Sequence, residues 1–205
     1  MIKNICIVYT HHKLGDLIWQ LPYIKAISDH HNQKIDLVVR EKTQAKNILQ
    51  DISHINLINY NNFRKGIYYW VDVFKLIKIF YKNTYSHVYI LDKVNKPALA
   101  ARLSGVKNVI GPGIGNQKKW LTVNKFLTNE DWKMSYSEQS QKLLSINSIN
   151  INSIYPEIEV DPLSHSFGAL TAGSETQDTV ITVKNIGNGT LNIDNVYLHG
   201  GSSNF

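Results

Sequence analysis

Residues 3–31 read KNICIVYTHHKLGDLIWQLPYIKAISDHH, and this stretch decides the fold. Residues 3–9 are almost continuously apolar, which indicates a strand buried on both faces of a sheet. Apolar residues then recur three and four positions apart along 14–31, which predicts a helix with one apolar stripe. The stripe consists of Leu17, Ile18, Leu21, Ile24 and Ile27. Pro22 lies inside the pattern and predicts a kink or a break in the first turns of that helix.

The same alternation of strand and helix continues through the next hundred residues. Apolar runs predict further strands at 34–40, 55–61, 86–92 and 106–112, and helical spacing predicts helices at 41–51, 65–84, 96–105 and 135–147. Strands that alternate with helices form βαβ units with right-handed crossovers. We therefore predict an α/β fold, a Rossmann-like doubly wound parallel sheet. Ligands of such sheets bind outside the carboxyl ends of the strands. The loops at those ends are 10–16, 40–43, 61–66, 92–96 and 111–119.

The character of the sequence changes at about residue 158. Residues 179–185 and 191–198 alternate like short strands and flank the turn IGNGT at 186–190. An immunoglobulin-like sandwich needs about 100 residues, so the tail predicts a partial all-β sandwich. We predict two domains, 1–157 and 158–205. The second is expected either to belong to a truncated product or to pair its strands with another segment or molecule.

The cysteine content and the lengths of the apolar runs bear on the cellular compartment of the chain. The single cysteine, Cys6, lies in an apolar run, which predicts a small buried side chain and excludes an internal disulfide. The apolar runs of the chain are shorter than the ~18–20 residues of a helical membrane span, and no secretory signal is visible. We expect a cytoplasmic protein, with peripheral contact at the inner face of the cytoplasmic membrane left open.

Charge is distributed unevenly along the chain. Residues 1–160 carry 21 Lys and Arg against 12 Asp and Glu, whereas 161–205 carry one Lys against four acidic residues. The basic first part favours an anionic partner such as a phosphorylated sugar, a lipid or an anionic membrane. Its basic residues are scattered and form no dense arginine tract, so we do not expect nucleic-acid binding.

Asp16 is the first candidate for chemistry. A carboxylate in the first turn of a helix is stabilised in its charged form by free backbone N–H groups and by the macrodipole. An ionised Asp16 could accept a proton. Gly15 lets the chain turn tightly and lets a substrate approach the backbone. The alternative is that Asp16 is only the N-cap of its helix.

Other candidate residues follow the predicted strands. His11 and His12 flank the Gly-Asp turn and could orient a substrate, but nothing around them has metal-ligand spacing, so no metal site is predicted. Lys93 and Lys96 come after the strand 86–92, where they could hold an anionic group or simply be solvated. The glycine-rich stretch 111–120 matches neither the P-loop nor the dinucleotide fingerprint.

In combination these motifs resemble the N-terminal half of glycosyltransferase family 9, the lipopolysaccharide heptosyltransferases. The matching positions are Gly15-Asp16, Leu21-Pro22, Asp92, Ala101-Arg102-Leu103-Ser104-Gly105 and Ile110-Gly111. The resemblance implies one lobe of a two-lobed GT-B enzyme and inverting sugar transfer without a metal or other cofactor. It makes Asp16 the general base and this lobe the one that binds the acceptor. From their positions around the two strand ends, we expect Gly15, His12, Lys13, Lys93 and Lys96 to contact the acceptor.

The resemblance also implies the partners. The acceptor is expected to be a phosphorylated glycolipid or lipopolysaccharide core, in agreement with the basic charge of residues 1–160. The nucleotide-sugar donor is held by the family's second lobe, and no second set of βαβ units follows residue 160. We therefore expect this chain to be inactive alone unless a second lobe is supplied.

The tail resembles the opening of immunoglobulin-like repeats of the choice-of-anchor D and ASPM/SPD-2/hydin type. The matching positions are Phe167-Gly168, Gly173, Val183, Asn185, Gly187, Asn188 and Leu191. Because such modules mediate contacts, a second hypothesis is a non-catalytic binding or scaffold protein that combines a Rossmann-like lobe with a sandwich fragment. A nucleotide-binding α/β protein of another kind is disfavoured by the missing glycine fingerprint.

Overall fold

The computed structural model describes residues 4–151, 158–161 and 182–185. The chain divides into two compact units, Met1–Ile151 and Asn152–Phe205, and each is considered by itself.

The first unit is built on a five-stranded parallel sheet, as the alternating pattern predicts. Its strands are β1 Asn4–Val8, β2 Ile35–Val39, β3 Ile55–Tyr60, β4 Tyr85–Ile90 and β5 Asn108–Ile110. The strand order is β3-β2-β1-β4-β5, and every neighbouring pair is parallel. The order reverses between β1 and β4, and the crevice at such a switch point is where doubly wound sheets bind ligands.

Helices flank the sheet. They are α1 Leu14–Ile18, α2 Leu21–His31, α3 Ala45–Leu49, α4 Tyr68–Asn83, α5 Asn95–Leu103 and α6 Tyr136–Ile146. Shorter 3₁₀ segments occupy Glu41–Thr43, Gly115–Trp120 and Asp131–Lys133. None of the helices in the described residues is long and apolar enough to cross a membrane.

Two predicted helices are divided in the structure. The helix expected over 14–31 is broken after Ile18 and resumes as α2, whose first turn contains Pro22. Proline fits there because the first N–H groups of a helix have no intrahelical partner. The predicted break is confirmed, but Ile18 is exposed and does not belong to the apolar stripe. The helix expected over 41–51 is interrupted at Gln44, which takes the left-handed conformation.

The core of the first unit contains the buried side chains of the central strands and of α4 and α5. Cys6 is fully buried among them, as predicted, and burial raises the pKa of its thiol. The buried Asp36 carboxylate accepts a hydrogen bond from the Tyr85 hydroxyl at 2.6 Å and another from Asn56 at 2.8 Å. The carboxylate of Asp36 is thus paired inside the sheet, as burial requires.

The described part of the second unit is one antiparallel strand pair, β6 Ile158–Asp161 and β7 Thr182–Asn185. β7 falls within the strand predicted at 179–185. The turn at 186–190, the strand at 191–198 and the rest of the predicted immunoglobulin-like segment lie outside the described residues.

Candidate functional site

The carboxyl ends of β1 and β4 are joined by Asp92. Its carboxylate accepts hydrogen bonds from the backbone N–H of Thr10 at 2.6 Å and from that of Val94 at 2.9 Å. The side chain is buried, and this burial raises the pKa of Asp92 although both hydrogen bonds oppose the shift. Asp92 therefore sets the relative position of the loops that follow the two strands.

Asp16 lies in the first turn of α1, just after the loop that Asp92 binds at Thr10, and its side chain is 42% exposed. Lys13, not Asp16, occupies the N-cap position, and no side chain caps this helix. The carboxylate Oδ2 lies 3.5 Å from Nδ1 of His11. Asp16 thus has an accessible oxygen beside an imidazole, an arrangement in which it can take a proton from a bound hydroxyl.

Aromatic rings hold His11 on two sides. The ring of Tyr9 stacks on His11 with a centroid distance of 5.0 Å, and Tyr136 contacts it edge-on at 4.9 Å. Burial raises the pKa of the Tyr9 hydroxyl, and the nearby carboxylates of Asp16 and Asp92 raise it further. Tyr9 therefore stays neutral and serves as packing for the imidazole.

Tyr136 is brought to this place by α6, which is anchored on the break between α1 and α2. The Ser140 hydroxyl donates to Oε1 of the buried Gln20 at 2.8 Å, and the hydroxyls of Ser137 and Tyr23 are 2.5 Å apart. The break that Pro22 accompanies thus positions a residue more than a hundred positions away. No pattern in the sequence pointed to Tyr136.

A cleft of about 360 Å³ begins at Tyr136. It is lined by Lys93, Ile114, Trp132, Met134, Ser135, Tyr136 and Gln139. Its volume lies within the range of about 300–1,000 Å³ usual for small-molecule sites. Of the candidate residues chosen from the sequence, Lys93 lines this cleft. Tyr136 lines it too and contacts His11, so the cleft lies beside the His11–Asp16 pair.

The other predicted acceptor-binding residues divide into two groups. His12, Lys13 and Gly15 are exposed in the loop that carries Asp16. Lys96 is buried: its ammonium group donates to the backbone carbonyl of Arg64 at 2.5 Å and lies 3.7 Å from Oδ2 of Asp72. Its direct contact with an acceptor stays a prediction, and the partner it has here is a carboxylate.

A second cleft, of about 460 Å³, lies at the carboxyl ends of β2 and β3. It is lined by Arg40, Glu41, Lys42, Gln44, Asn62 and Arg64. Arg40 is held in place by hydrogen bonds to the backbone carbonyls of Thr10 and Asn62. The basic lining suits an anion, and the sequence had marked the loops at 40–43 and 61–66 without singling out these side chains.

The glycine-rich stretch 111–120 serves packing. The amide of buried Gln117 donates to the backbone carbonyls of Asp92 and Val94 at 2.8 and 3.0 Å, and its oxygen accepts from the Gly113 N–H at 2.8 Å. The segment after β5 is thereby tied to the loop after β4. Within the described residues, no group of three or more His, Cys, Asp or Glu side chains could hold a metal ion.

Comparison with known proteins supports the fold. No family model matches the chain, and no curated protein matches it. A glycosyltransferase family 9 structure from Veillonella parvula aligns over 73% of this chain with a TM-score of 0.58 and 14% identity. The ADP-heptose lipopolysaccharide heptosyltransferase II of Escherichia coli aligns over 67% with a TM-score of 0.49 and 15% identity. The chain spans 42% of the first structure's length and 40% of the second's. The first likeness shows that the chain has a glycosyltransferase-like α/β fold.

Proposed function

We propose that the first unit is the acceptor-binding lobe of an inverting glycosyltransferase similar to family 9, with Asp16 as general base. The observation that carries the proposal is the accessible Asp16 carboxylate, 3.5 Å from His11, at the carboxyl end of a central strand in this fold. The fold likeness to a family 9 structure supports it.

In this function Asp16 takes the proton of an acceptor hydroxyl as its oxygen attacks the anomeric carbon of the donor sugar. The bond from that carbon to the nucleoside diphosphate breaks, the diphosphate leaves with the bonding electrons, and the configuration inverts. Nδ1 of His11 lies 3.5 Å from the Asp16 carboxylate, where it can orient that base, and the His11 ring is itself held between Tyr9 and Tyr136. A fixed base avoids the entropic cost of orienting it in the transition state.

The acceptor is a phosphorylated glycolipid of the lipopolysaccharide type. The cleft at Tyr136 and Trp132 offers aromatic surface for a sugar ring, and Lys93 offers a cation for a phosphate. His12, Lys13 and Gly15 lie exposed on the loop of Asp16, where they can contact the same ligand. The basic charge of residues 1–160 agrees with an anionic acceptor at the cytoplasmic membrane.

Donor binding is assigned to residues outside this lobe. The chain spans 42% of the family 9 structure's length, and the resemblance implies that a second lobe holds the nucleotide-sugar. The proposed transfer is therefore the work of two lobes, of which the first unit supplies the acceptor side.

The test is Asp16→Asn, made in a fusion of this chain with the part of the Veillonella parvula protein that the alignment leaves uncovered. We expect transfer to fall at least about a hundredfold, because general bases contribute about that factor or more. Acceptor binding should change little, since Asn keeps the size of the side chain.

Asp29→Asn is the matched control, because Asp29 is an exposed aspartate on α2 that pairs with Lys25. It should leave transfer unchanged. Equal transfer by wild type and Asp16→Asn would overturn the base assignment. A fusion that binds the acceptor but transfers no sugar with any nucleotide-sugar would favour the non-catalytic binding protein.

A further inference from the structure

Helix α4 carries apolar side chains on two opposite sides. One side packs into the core through Val73, Leu76 and Phe80. The other side, with the N-cap residue, exposes a second apolar row, in which each member lies three, four or seven positions from another. The exposed members are Ile67, Trp70, Val71, Phe74 and Tyr81. Ile67 is 84% exposed and Phe74 65%, so the row projects well into solvent. Scattered exposed apolar residues are ordinary, but a contiguous row marks an interaction surface.

The charges on this exposed side are all positive. Lys75, Lys78 and Lys82 are exposed on the same side as the apolar row. The single carboxylate of α4, Asp72, is 1% exposed and paired with Arg64 and Lys96. We call the apolar row and these three lysines the outer face of α4. It therefore combines large apolar side chains with cations that form no ion pair among the described residues.

We propose that the outer face of α4 is a docking surface for an anionic lipid bilayer. The helix lies along the membrane plane, its apolar row enters the boundary between headgroups and acyl chains, and the lysines meet anionic headgroups. Lysine is depleted in protein–protein interfaces, whereas Trp and Phe beside Lys are typical of interfacial helices. A second copy is disfavoured because two such faces would bring lysines against lysines.

The position of α4 places one end of the docking surface close to the ligand loops. The helix begins at Tyr68, after the loop that follows β3, so its first turn lies at the edge of the sheet where the ligand loops lie. Ile67 and Trp70 are therefore the members of the apolar row nearest that edge. Docking holds whether or not Asp16 acts in sugar transfer, since it depends on α4 alone.

The experiment is co-sedimentation of the full chain with vesicles. One set is phosphatidylcholine alone and the other is phosphatidylcholine mixed with phosphatidylglycerol. We expect binding to the mixed vesicles that weakens with added salt, because salt screens the lysines. Trp70→Ser with Phe74→Ser should lower the affinity at least about tenfold, because moving a large apolar side chain out of the bilayer costs about that factor or more. Ile48→Ser with Leu103→Ser, an exposed apolar pair on α3 and α5, should not lower it.

The role of the lysines is tested by a matched pair of triple variants. Replacing Lys75, Lys78 and Lys82 by Glu should abolish the preference for mixed vesicles, whereas replacing the exposed Lys107, Lys119 and Lys125 by Glu should retain most of it. Equal losses in the two triple variants would reduce the effect to net charge and overturn the proposal. So would wild-type protein that stays in the supernatant, or that sediments as a self-associated species without vesicles.

Discussion

Asp72 holds two cations although it is almost fully buried. Its carboxylate accepts from Nη2 of Arg64 at 2.9 Å and lies 3.7 Å from the ammonium group of Lys96. Asp72→Asn would leave the buried charge of Lys96 without its carboxylate partner. We expect the free energy of unfolding to fall by about 3 kcal/mol, as when one member of a buried pair is removed. Urea unfolding of the two proteins measures the difference.

Lys96→Met is the control for that variant and also tests the role of Lys96. It removes the buried charge itself and leaves Asp72 with Arg64, so it should cost only about 1 kcal/mol, the order of one hydrogen bond. A cost equal to that of Asp72→Asn would contradict the proposed pairing. If Lys96 only supports the fold, acceptor binding at a temperature where the variant is folded should be retained.

The interaction of Asp72 with Arg64 and Lys96 predicts that the stability of the protein depends on pH. Burial raises the pKa of Asp72, but the hydrogen bonds and charges of Arg64 and Lys96 outweigh it and hold the pKa below its usual value. The unfolded chain, with an aspartate pKa of about 3.9, therefore takes up the proton before the folded protein does. The stability that Asp72 contributes should be present above about pH 4 and should decline below it. The difference between wild type and Asp72→Asn, measured against pH, should shrink on acidification.

At single residues the sequence predicted positions at strand ends better than contacts. Asp16 and Lys93 could be singled out because residues at strand ends can be located from local patterns. The partners of Lys96 could not be, since Asp72 lies on another helix and meets it only through the packing of α4 on α5. Tyr136 was missed for the same reason, because its contact with His11 depends on where α6 docks.

Among the elements, the loop after β5 offers a comparison of two glycines. Gly113 and Gly115 both have positive φ, of 76° and 56°. A Cβ on Gly113 would meet Cβ of Phe126 at 2.6 Å, whereas one on Gly115 would meet nothing within 4 Å. We expect Gly115→Ala to cost about 1–2 kcal/mol for the left-handed backbone alone. Gly113→Ala should cost about 1–3 kcal/mol more because Phe126 must move. Chemical denaturation gives both values, and equal costs would contradict the close packing.

The elements themselves were largely predictable because their signals are local. Apolar runs located the five parallel strands, and Pro22 marked the break between α1 and α2. The departures occur where tertiary contacts decide. Ile18 continues the helical spacing of 14–31, yet the turn at Trp19 and Gln20 rotates it out to solvent. Gln44 interrupts the helix predicted over 41–51, although neither proline nor glycine marks that point.

For the whole molecule, the strand order was beyond local patterns. Residues 1–160 predicted parallel βαβ units, but the placement of β4 beside β1 rests on pairing across about eighty residues. That placement brings the loop of Asp16 next to the loop of Asp92 and Lys93 and so forms the candidate site. The loops at the strand ends could be predicted from the sequence, but the strand order of the sheet decides which of those loops lie next to each other.

The proposed acceptor-binding role of the first unit makes a prediction about ligands. By calorimetry, residues 1–205 should bind a phosphorylated lipopolysaccharide core oligosaccharide and give no heat with nucleotide-sugars, because the proposed function assigns donor binding to a second lobe. Binding should weaken with salt, since it depends on cations near an anion. Lys93→Met should lower the affinity because Lys93 lines the cleft, whereas Lys119→Met, an exposed lysine outside it, should not. Tight binding of a nucleotide-sugar would contradict the assignment of this lobe to the acceptor.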